Sequence, residues 1–332
     1  MNPYWKGKRV LVTGAGGFIG SHLAEELARQ GARVRALTHY NSRGSWGFLD
    51  SLPAGLARRI EVRAGDITDA SFVGGLMDGQ QVVFHLAALI AIPYSYAAPQ
   101  SFVSTNVQGT LNVLEACRKR KVSKLVCTST SEVYGTARYT PMDEAHPLQG
   151  QSPYSASKIG ADHLAESFHR CFGLPVAIAR PFNTYGPRQS ARAVLPTVIS
   201  QALSAGPLIS LGALSPVRDF NYVADTVSGF LAVAQSPKSA GQAFNLGSGR
   251  GVTVGQAAKL ILKLTGSRAK LAQDARRLRP DDSEVLKLVC DSSKARRLLG
   301  WKPRMPFEEG LKRTIDYIRG HASEYKAHLY NV

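Results

Sequence analysis

A short run of β-branched and apolar residues, Arg9-Val10-Leu11-Val12-Thr13, leads directly into Gly14-Ala15-Gly16-Gly17-Phe18-Ile19-Gly20, after which apolar residues recur at helical spacing. A strand, a glycine turn and a helix in immediate succession leave few folds open. Glycine at 14 lets the turn close, glycine at 17 lets backbone approach a bound group, and glycine at 20 lets the helix pack on the strand. The helix start carries unpaired N–H groups and the positive end of the dipole, which together attract an anion. The segment is predicted to open a βαβ unit and to hold the pyrophosphate of a dinucleotide through Gly14, Gly17, Phe18, Ile19 and Gly20. A structural turn is the competing reading, and the position directly after the first strand favours the ligand.

The alternation continues. Strands are predicted at residues 33–37, 60–63, 82–86, 124–128 and 176–179, with helices at 18–30, 70–77, 101–120 and 155–172 between them. Val103, Val107, Leu111 and Leu114 mark one face of the third helix. This is the pattern of an α/β protein with a doubly wound parallel sheet and helices on both faces. After Pro181 the rhythm loosens, with breaks at Pro187, Gly206-Pro207 and Pro216, so a smaller, mostly C-terminal α/β domain is expected. Residues 219–234 and 243–246 read as helix then strand returning to the sheet. The expected division is a dinucleotide-binding domain at 1–180 with 219–246 rejoining it, and a substrate domain at 181–218 and 247–332.

Composition excludes several classes. Forty-one Lys and Arg against twenty-four Asp and Glu leave a net charge of +17, which raises the question of an anionic partner: nucleic acid, a membrane surface or phosphorylated small molecules. Cys117, Cys127, Cys171 and Cys290 show neither metal-ligand spacing nor a disulfide framework, so no metal is expected and a reducing cytoplasm is the expected compartment. The longest apolar run, residues 82–92, is interrupted by His85 and falls short of the ~20 residues a membrane span needs.

Three further segments bear on the dinucleotide. Gly65-Asp66-Ile67 after the third strand suits an adenine contact, with Asp66 reading equally as a helix cap, and Ala87-Ala88 after the fourth leaves room for a ligand close to backbone. The second strand ends in Thr38-His39-Tyr40-Asn41-Ser42-Arg43, without the carboxylate that would bond ribose hydroxyls. Asn41, Ser42 and Arg43 suit a 2′-phosphate instead, which favours NADP over NAD; a solvated loop charge is the bland reading of Arg43.

The chemistry is predicted around Tyr154-Ser155-Ala156-Ser157-Lys158, where Tyr154 and Lys158 share one helix face. A tyrosine whose pKa is lowered from ~10 by an ammonium and by a positive nicotinamide could take a hydroxyl proton. Such a pair alone is common on helix surfaces. The preceding Thr128-Ser129-Thr130-Ser131-Glu132-Val133-Tyr134-Gly135 places hydroxyls and a carboxylate at the C-terminal end of a strand, where doubly wound folds build ligand sites.

Taken together, the glycine turn, the Tyr154/Lys158 pair, Asn106 in Thr105-Asn106-Val107-Gln108-Gly109-Thr110, and Arg180-Pro181-Phe182-Asn183 follow one family's order. Over nearly its whole length the chain resembles the extended short-chain dehydrogenases/reductases, and within them the nucleotide-sugar 4,6-dehydratases. Epimerases of that family usually carry a small hydroxyl residue where this chain has Glu132. Glucose-type dehydratases carry Asp-Glu and GDP-mannose dehydratases Ser-Glu, as Ser131-Glu132 does here. Residues 88–99 and 134–193 are most similar to dehydratases of the legionaminic-acid pathway, which act on nucleotide-linked N-acetylglucosamine.

The resemblance implies a Rossmann domain, a tightly bound and recycled nicotinamide cofactor that Asn106 helps to bind, and a GDP- or UDP-linked sugar as substrate. It implies that Tyr154 takes the 4-hydroxyl proton while hydride leaves carbon 4, with Thr130 bonding the same oxygen. Glu132 then takes the carbon 5 proton and, with water held by Ser131, helps the 6-hydroxyl leave before hydride returns to carbon 6. Asn183, Arg218 and Arg279 would bind the diphosphate, with Arg188 a weaker candidate, and the sugar would lie near Ile92 and Tyr94. Each arginine taken alone reads as a surface charge, and Tyr94 reads equally as core. Helices 101–120 and 155–172 resemble those that pair across a homodimer.

Two other readings stay open. A 4-epimerase or decarboxylase would use the same Tyr154 and Lys158, with Glu132 arguing against the epimerase. A dinucleotide-sensing or nucleic-acid-binding protein would exploit the positive charge and Arg118-Lys119-Arg120-Lys121. Those cations sit at a predicted helix end, where they suit the dipole, and no aromatic-interleaved basic motif accompanies them; no nucleic acid is expected.

Overall fold

The computed structural model describes residues 3–204 and 206–330. Its main sheet contains β1 Arg9–Thr13, β2 Arg33–His39, β3 Ile60–Gly65, β4 Val82–His85, β5 Lys124–Thr128 and β6 Val176–Pro181. After β7 Asn183–Tyr185, β8 Leu208–Leu211 and β9 Val217–Tyr222, the strand β10 Ala243–Leu246 completes it; β11 Gly251–Thr253 and β12 Lys270–Gln273 follow. The order across the sheet is β10-β6-β5-β4-β1-β2-β3, and every pairing in it is parallel. The order reverses between β1 and β4, which opens a crevice at their carboxyl ends.

Both faces of this sheet are covered, so its strands read as continuous apolar runs. Alternate residues serve opposite cores. Val10, Val12, Phe84, Val126 and Ala179 pack with Leu23 and Leu27 of helix Phe18–Arg29 and Phe230 of helix Val223–Gln235. Leu11, Val83, Leu125 and Ile178 pack on the other face with Val113, Leu114 and Phe168 of helices Gly109–Lys119 and Pro153–Phe172. Pro153–Phe172 is well bounded: Ser152 and Ser155 form a capping box, Pro153 opens it, and Gly173 closes it at φ 65°. The remaining strands form small sheets, β11-β9-β7 and β12-β8.

Two expectations change. Residues 101–120 are not one helix: Pro99–Phe102 passes into a π-helical stretch, Val103–Gln108, before Gly109–Lys119. One extra residue in a turn leaves the apolar pattern nearly intact, so periodicity does not register it. Residues 219–222 are strand rather than helix, because Asp219 is buried and its carboxylate takes N–H groups from Ser248, Gly249 and Cys290. Only helix Val223–Gln235 and β10 return to the main sheet.

A buried ion pair ties helix Pro153–Phe172 to β6. Arg180 donates to Asp162 Oδ2 from Nη2 at 3.0 Å and from Nε at 3.2 Å, and Ser129 donates to the same oxygen at 2.7 Å. Both charged side chains are 3% exposed, so removing one strands the other in a dry interior. Arg180→Leu should therefore cost about 3–5 kcal/mol, read as a lowered urea midpoint with an unchanged slope; an unaltered midpoint would refute it.

Candidate active site

A cavity of about 1180 Å³ opens at the carboxyl ends of the main strands and extends to β9. Its floor is the glycine turn. Gly14 has φ 69°, and a Cβ there would stand 2.8 Å from the backbone nitrogen of Ala87. A Cβ on Gly16 would stand 2.7 Å from the carbonyl oxygen of Trp46. Helix Phe18–Arg29 begins without a side-chain cap, and Gly17, Phe18, Ile19 and Gly20 line the cavity. Its first N–H groups are thus left to a ligand, the arrangement a pyrophosphate requires. The hydroxyls of Thr38 and Thr128 are buried on the same wall without a partner. These donors and the bare backbone fit a dinucleotide.

Ala87, Ala88, Asn41 and Arg43 also lie on the cavity wall. Asn41 is occupied within its own loop, where Oδ1 accepts the N–H groups of Arg43 at 3.1 Å and Ser45 at 3.2 Å. Ser42, Asp66, Ile67 and Asn106 are not among the lining residues. Asp66 takes the N–H and hydroxyl of Thr68, each at 2.8 Å, and Ile67 lies in the core below. Asn106 is buried and grips the backbone of Leu89.

Thr130, Ser131, Glu132, Tyr154 and Lys158 all line the cavity. After β5 the backbone stays extended through Thr130, whose hydroxyl accepts the Glu132 N–H at 3.2 Å and caps the turn Ser131–Tyr134. Tyr154 stands edge-on to Phe102, with ring centroids 6.2 Å apart, and bonds to Thr130. Burial pushes the Tyr154 phenol well above its ordinary value; the Thr130 bond opposes this, and the charges of Glu132 and Asp162 add to it. Burial lowers the Lys158 pKa, with Asp162 and Cys127 opposing. In the free protein the phenol is thus raised by desolvation, whereas the expected lowering calls on a positive nicotinamide as well as on Lys158.

Farther along the cavity, Arg218 of β9 donates to Glu284 at 3.0 Å. Arg279 lies 3.8 Å from the same Glu284 oxygen and 4.0 Å from Glu132. Asn183 lines this region with its side-chain oxygen buried and unpartnered. Arg188 is turned away: at φ 68° it pairs with Glu25 at 2.7 Å and does not line the cavity. Ile92 is on the wall, whereas Tyr94 is off it, its ring 6.0 Å from Phe102. Tyr96 lines the cavity in its place and bonds Ser283 at 2.6 Å. Sequence reasoning missed Tyr96, Glu284 and Asp162. The spacing of Tyr154, Lys158 and Asp162, four residues each, was the available signal for the last of them.

The profile of the family described as GDP-mannose 4,6 dehydratase matches residues 11–314. A dTDP-glucose 4,6-dehydratase of Actinoplanes sp. is 32% identical over 320 residues, covering 95% of this chain and 99% of its own. A UDP-glucose 4-epimerase of Mycolicibacterium smegmatis is 33% identical over 318 residues, covering 94% of this chain and 98% of its own. Among solved structures, a Streptomyces venezuelae dTDP-glucose 4,6-dehydratase with NAD and TYD bound matches at TM-score 0.85 and 31% identity, over 96% of this chain and 99% of that one. A Thermotoga maritima UDP-glucose 4-epimerase with UDP-glucose matches at TM-score 0.86 and 31% identity, over 94% of this chain and 99% of that one. With the profile running from within β1 into helix Phe307–Gly320, the chain belongs to the extended short-chain dehydrogenase/reductase family of nucleotide-sugar dehydratases and epimerases.

Proposed function

We propose that the protein is a nucleotide-sugar 4,6-dehydratase acting on GDP- or UDP-linked N-acetylglucosamine to give a 4-keto-6-deoxy sugar nucleotide. The observation that carries this is Glu132: a carboxylate, 11% exposed, on the same cavity wall as Thr130 and Tyr154. The glycine turn, Ala87, Ala88 and Lys158 would hold a nicotinamide dinucleotide, which supplies a reversible hydride acceptor. NADP is favoured because Arg43, at the cavity edge after β2, is suited to a 2′-phosphate. Tyr154 takes the 4-hydroxyl proton as that carbon is oxidised, and Thr130 bonds the same oxygen. The ketone acidifies the carbon 5 proton, which Glu132 removes while it and Ser131 assist loss of the 6-hydroxyl as water; hydride returned to carbon 6 with a proton to carbon 5 would complete the 4-keto-6-deoxy sugar and leave the cofactor oxidised as it began. Asn183, Arg218 and Arg279 hold the diphosphate. Residues 181–218 and 247–332 serve as the sugar-nucleotide domain, and the protein pairs as a homodimer through helix Pro153–Phe172 and its neighbour, covering exposed Val103 and Phe172. Similarity to a UDP-glucose 4-epimerase favours a 4-epimerase as the second reading.

Incubation with UDP- and GDP-linked N-acetylglucosamine and mannose should give a product lighter by one water; a product of unchanged mass identifies the epimerase. Glu132→Gln should lower water loss roughly 10²–10⁴-fold while oxidation at carbon 4, read as absorbance of the reduced cofactor, persists. Full water loss in that variant would remove Glu132 from the mechanism.

Tyr154 should titrate late. An ultraviolet difference titration of the protein against Tyr154→Phe should place the missing phenol above 10 without cofactor and lower with the oxidised cofactor bound. A free-protein value at or below 10 would contradict the burial argument.

Glu284 is an internal anion competing for Arg218 and Arg279. Glu284→Gln should tighten binding of UDP or GDP by roughly tenfold in calorimetric titration, less at high salt; weaker binding would show that Glu284 instead positions the arginines.

A further inference from the structure

The chemistry proposed above leaves one fully buried chain of polar side chains unused, and it begins where the strand order reverses. Thr13 of β1 and His85 of β4 are register partners at the ends of their strands. His85 is 3% exposed. Its Nδ1 lies 2.9 Å from the Thr13 hydroxyl and its Nε2 lies 3.0 Å from the Thr110 hydroxyl. The polarity of these contacts follows from the atoms around them. Thr13 Oγ1 already accepts the N–H groups of Leu86 and Ala87, both at 3.1 Å. The Leu86 N–H is shared with the Thr13 carbonyl at 3.2 Å, but Thr110, whose only hydroxyl proton goes to the Asn106 carbonyl, must accept from Nε2, so the Thr13 proton goes to Nδ1. An imidazole that accepts at Nδ1 carries its proton on Nε2, and that proton goes to Thr110. The Thr110 hydroxyl in turn donates to the carbonyl of Asn106 at 2.6 Å. Burial keeps the ring neutral, lowering its pKa to about 3 with help from the charge of Lys158.

Asn106 lies within the π-helical stretch Val103–Gln108, and its carboxamide is fully used. Oδ1 accepts the N–H of Leu89 at 2.9 Å, and Nδ2 donates to the Leu89 carbonyl and to Ser157 Oγ, each at 2.9 Å. Ser157 donates to the carbonyl of Tyr154 at 2.7 Å. A continuous path thus runs from the loop that backs Gly14, through His85 and the π turn, to the backbone of the tyrosine proposed as base. Relaxing that turn to α-helix would rotate Asn106 by about 100° relative to what precedes it and withdraw its carboxamide from both partners.

We infer that His85 is a positioning residue which, through Thr110, holds the π turn at Asn106 and so sets the spacing between the loop at Ala87 to Leu89 and the helix that carries Tyr154 and Lys158. Its catalytic consequence rests on the reading of Tyr154 as the proton acceptor. Its structural content does not.

Thr110→Val removes the linking hydroxyl at nearly constant volume, and Thr110→Ser retains it. In the cofactor-loaded protein with a nucleotide sugar that the wild type converts, Thr110→Val should lower kcat roughly a hundredfold with KM little changed. Thr110→Ser should recover most of the rate. Amide exchange at Leu89 should quicken in the valine variant and not in the serine variant, while a defect confined to stability would leave the kcat of the folded fraction untouched. In the wild type, nitrogen-15 spectra should show His85 as the neutral Nε2–H form from about pH 5 to about pH 9. An Nδ1–H tautomer, or wild-type kcat and Leu89 exchange in Thr110→Val, would overturn the inference. Should the wild type turn over none of the sugars tried, the functional reading fails, and the tautomer and exchange measurements still decide the role of His85.

Discussion

The contact between the glycine turn after β1 and the loop after β4 is the constraint on which the site depends. These strands are neighbours with divergent exits, and the turn at Gly14 comes so close to Ala87 that no side chain fits between them. The close approach leaves a backbone-lined floor and directs the uncapped start of helix Phe18–Arg29 into the cavity. Thr13 and His85, one residue before each exit, join the same two strands by a side-chain bond beneath the floor. Binding surface and catalytic helix are thereby referred to a common point in the sheet. Such common anchorage is what near-attack geometry demands, since small misplacements of a proton acceptor are costly in rate.

The positive charge takes on a local meaning in this arrangement. The cavity wall carries seven Lys and Arg side chains against two carboxylates, Glu132 and Glu284. A dinucleotide and a sugar diphosphate are both anions, so a single cleft proposed to receive both would have its own use for these cations. Within that field each carboxylate stands beside Arg279. Glu132 thus faces a guanidinium as well as the cavity, 4.0 Å from Arg279.

Much of the fold was legible because the main sheet is buried on both faces. Continuous apolar runs bounded by turn residues mark β1 and β5 to the residue, whereas the helix carrying Tyr154 was read from residue 155 and begins at Pro153, two residues earlier, behind its Ser152 cap. The illegible parts share a physical origin: each depends on where a side chain points after a small backbone shift. Tyr94 and Tyr96 sit two residues apart on helix Ile92–Ala97, about 200° around its axis, so only one can reach the cavity, and composition does not say which. Arg188 follows a Gly-Pro pair and adopts a positive φ, which directs it to Glu25 rather than to the cavity. The π stretch adds a single residue to a turn whose apolar face is otherwise regular. In the candidate site, Thr130, Tyr154 and Lys158 came together because a strand end and helix spacing fix them, while Tyr94 and Asn106 on helical stretches and Ser42, Asp66 and Arg188 in loops point elsewhere.

The electrostatics of Tyr154 and Lys158 run against the simplest picture of an activated base, and the contradiction is instructive. Burial disfavours the phenolate of Tyr154 and disfavours the ammonium of Lys158 at the same time, so desolvation works against both charges in the free protein. Asp162, four residues beyond Lys158 and fixed by Arg180, restores part of the lysine's charge while opposing the phenolate. On the proposed reading, the helix therefore carries a proton acceptor that is not ionised in advance. A further positive charge at the cavity wall stabilises the phenolate most where water has been excluded, because its field is least screened there. The burial that disfavours the Tyr154 phenolate in isolation would make it responsive to a cationic ring placed beside it, which on the proposed reading would couple proton removal to the presence of an oxidised cofactor.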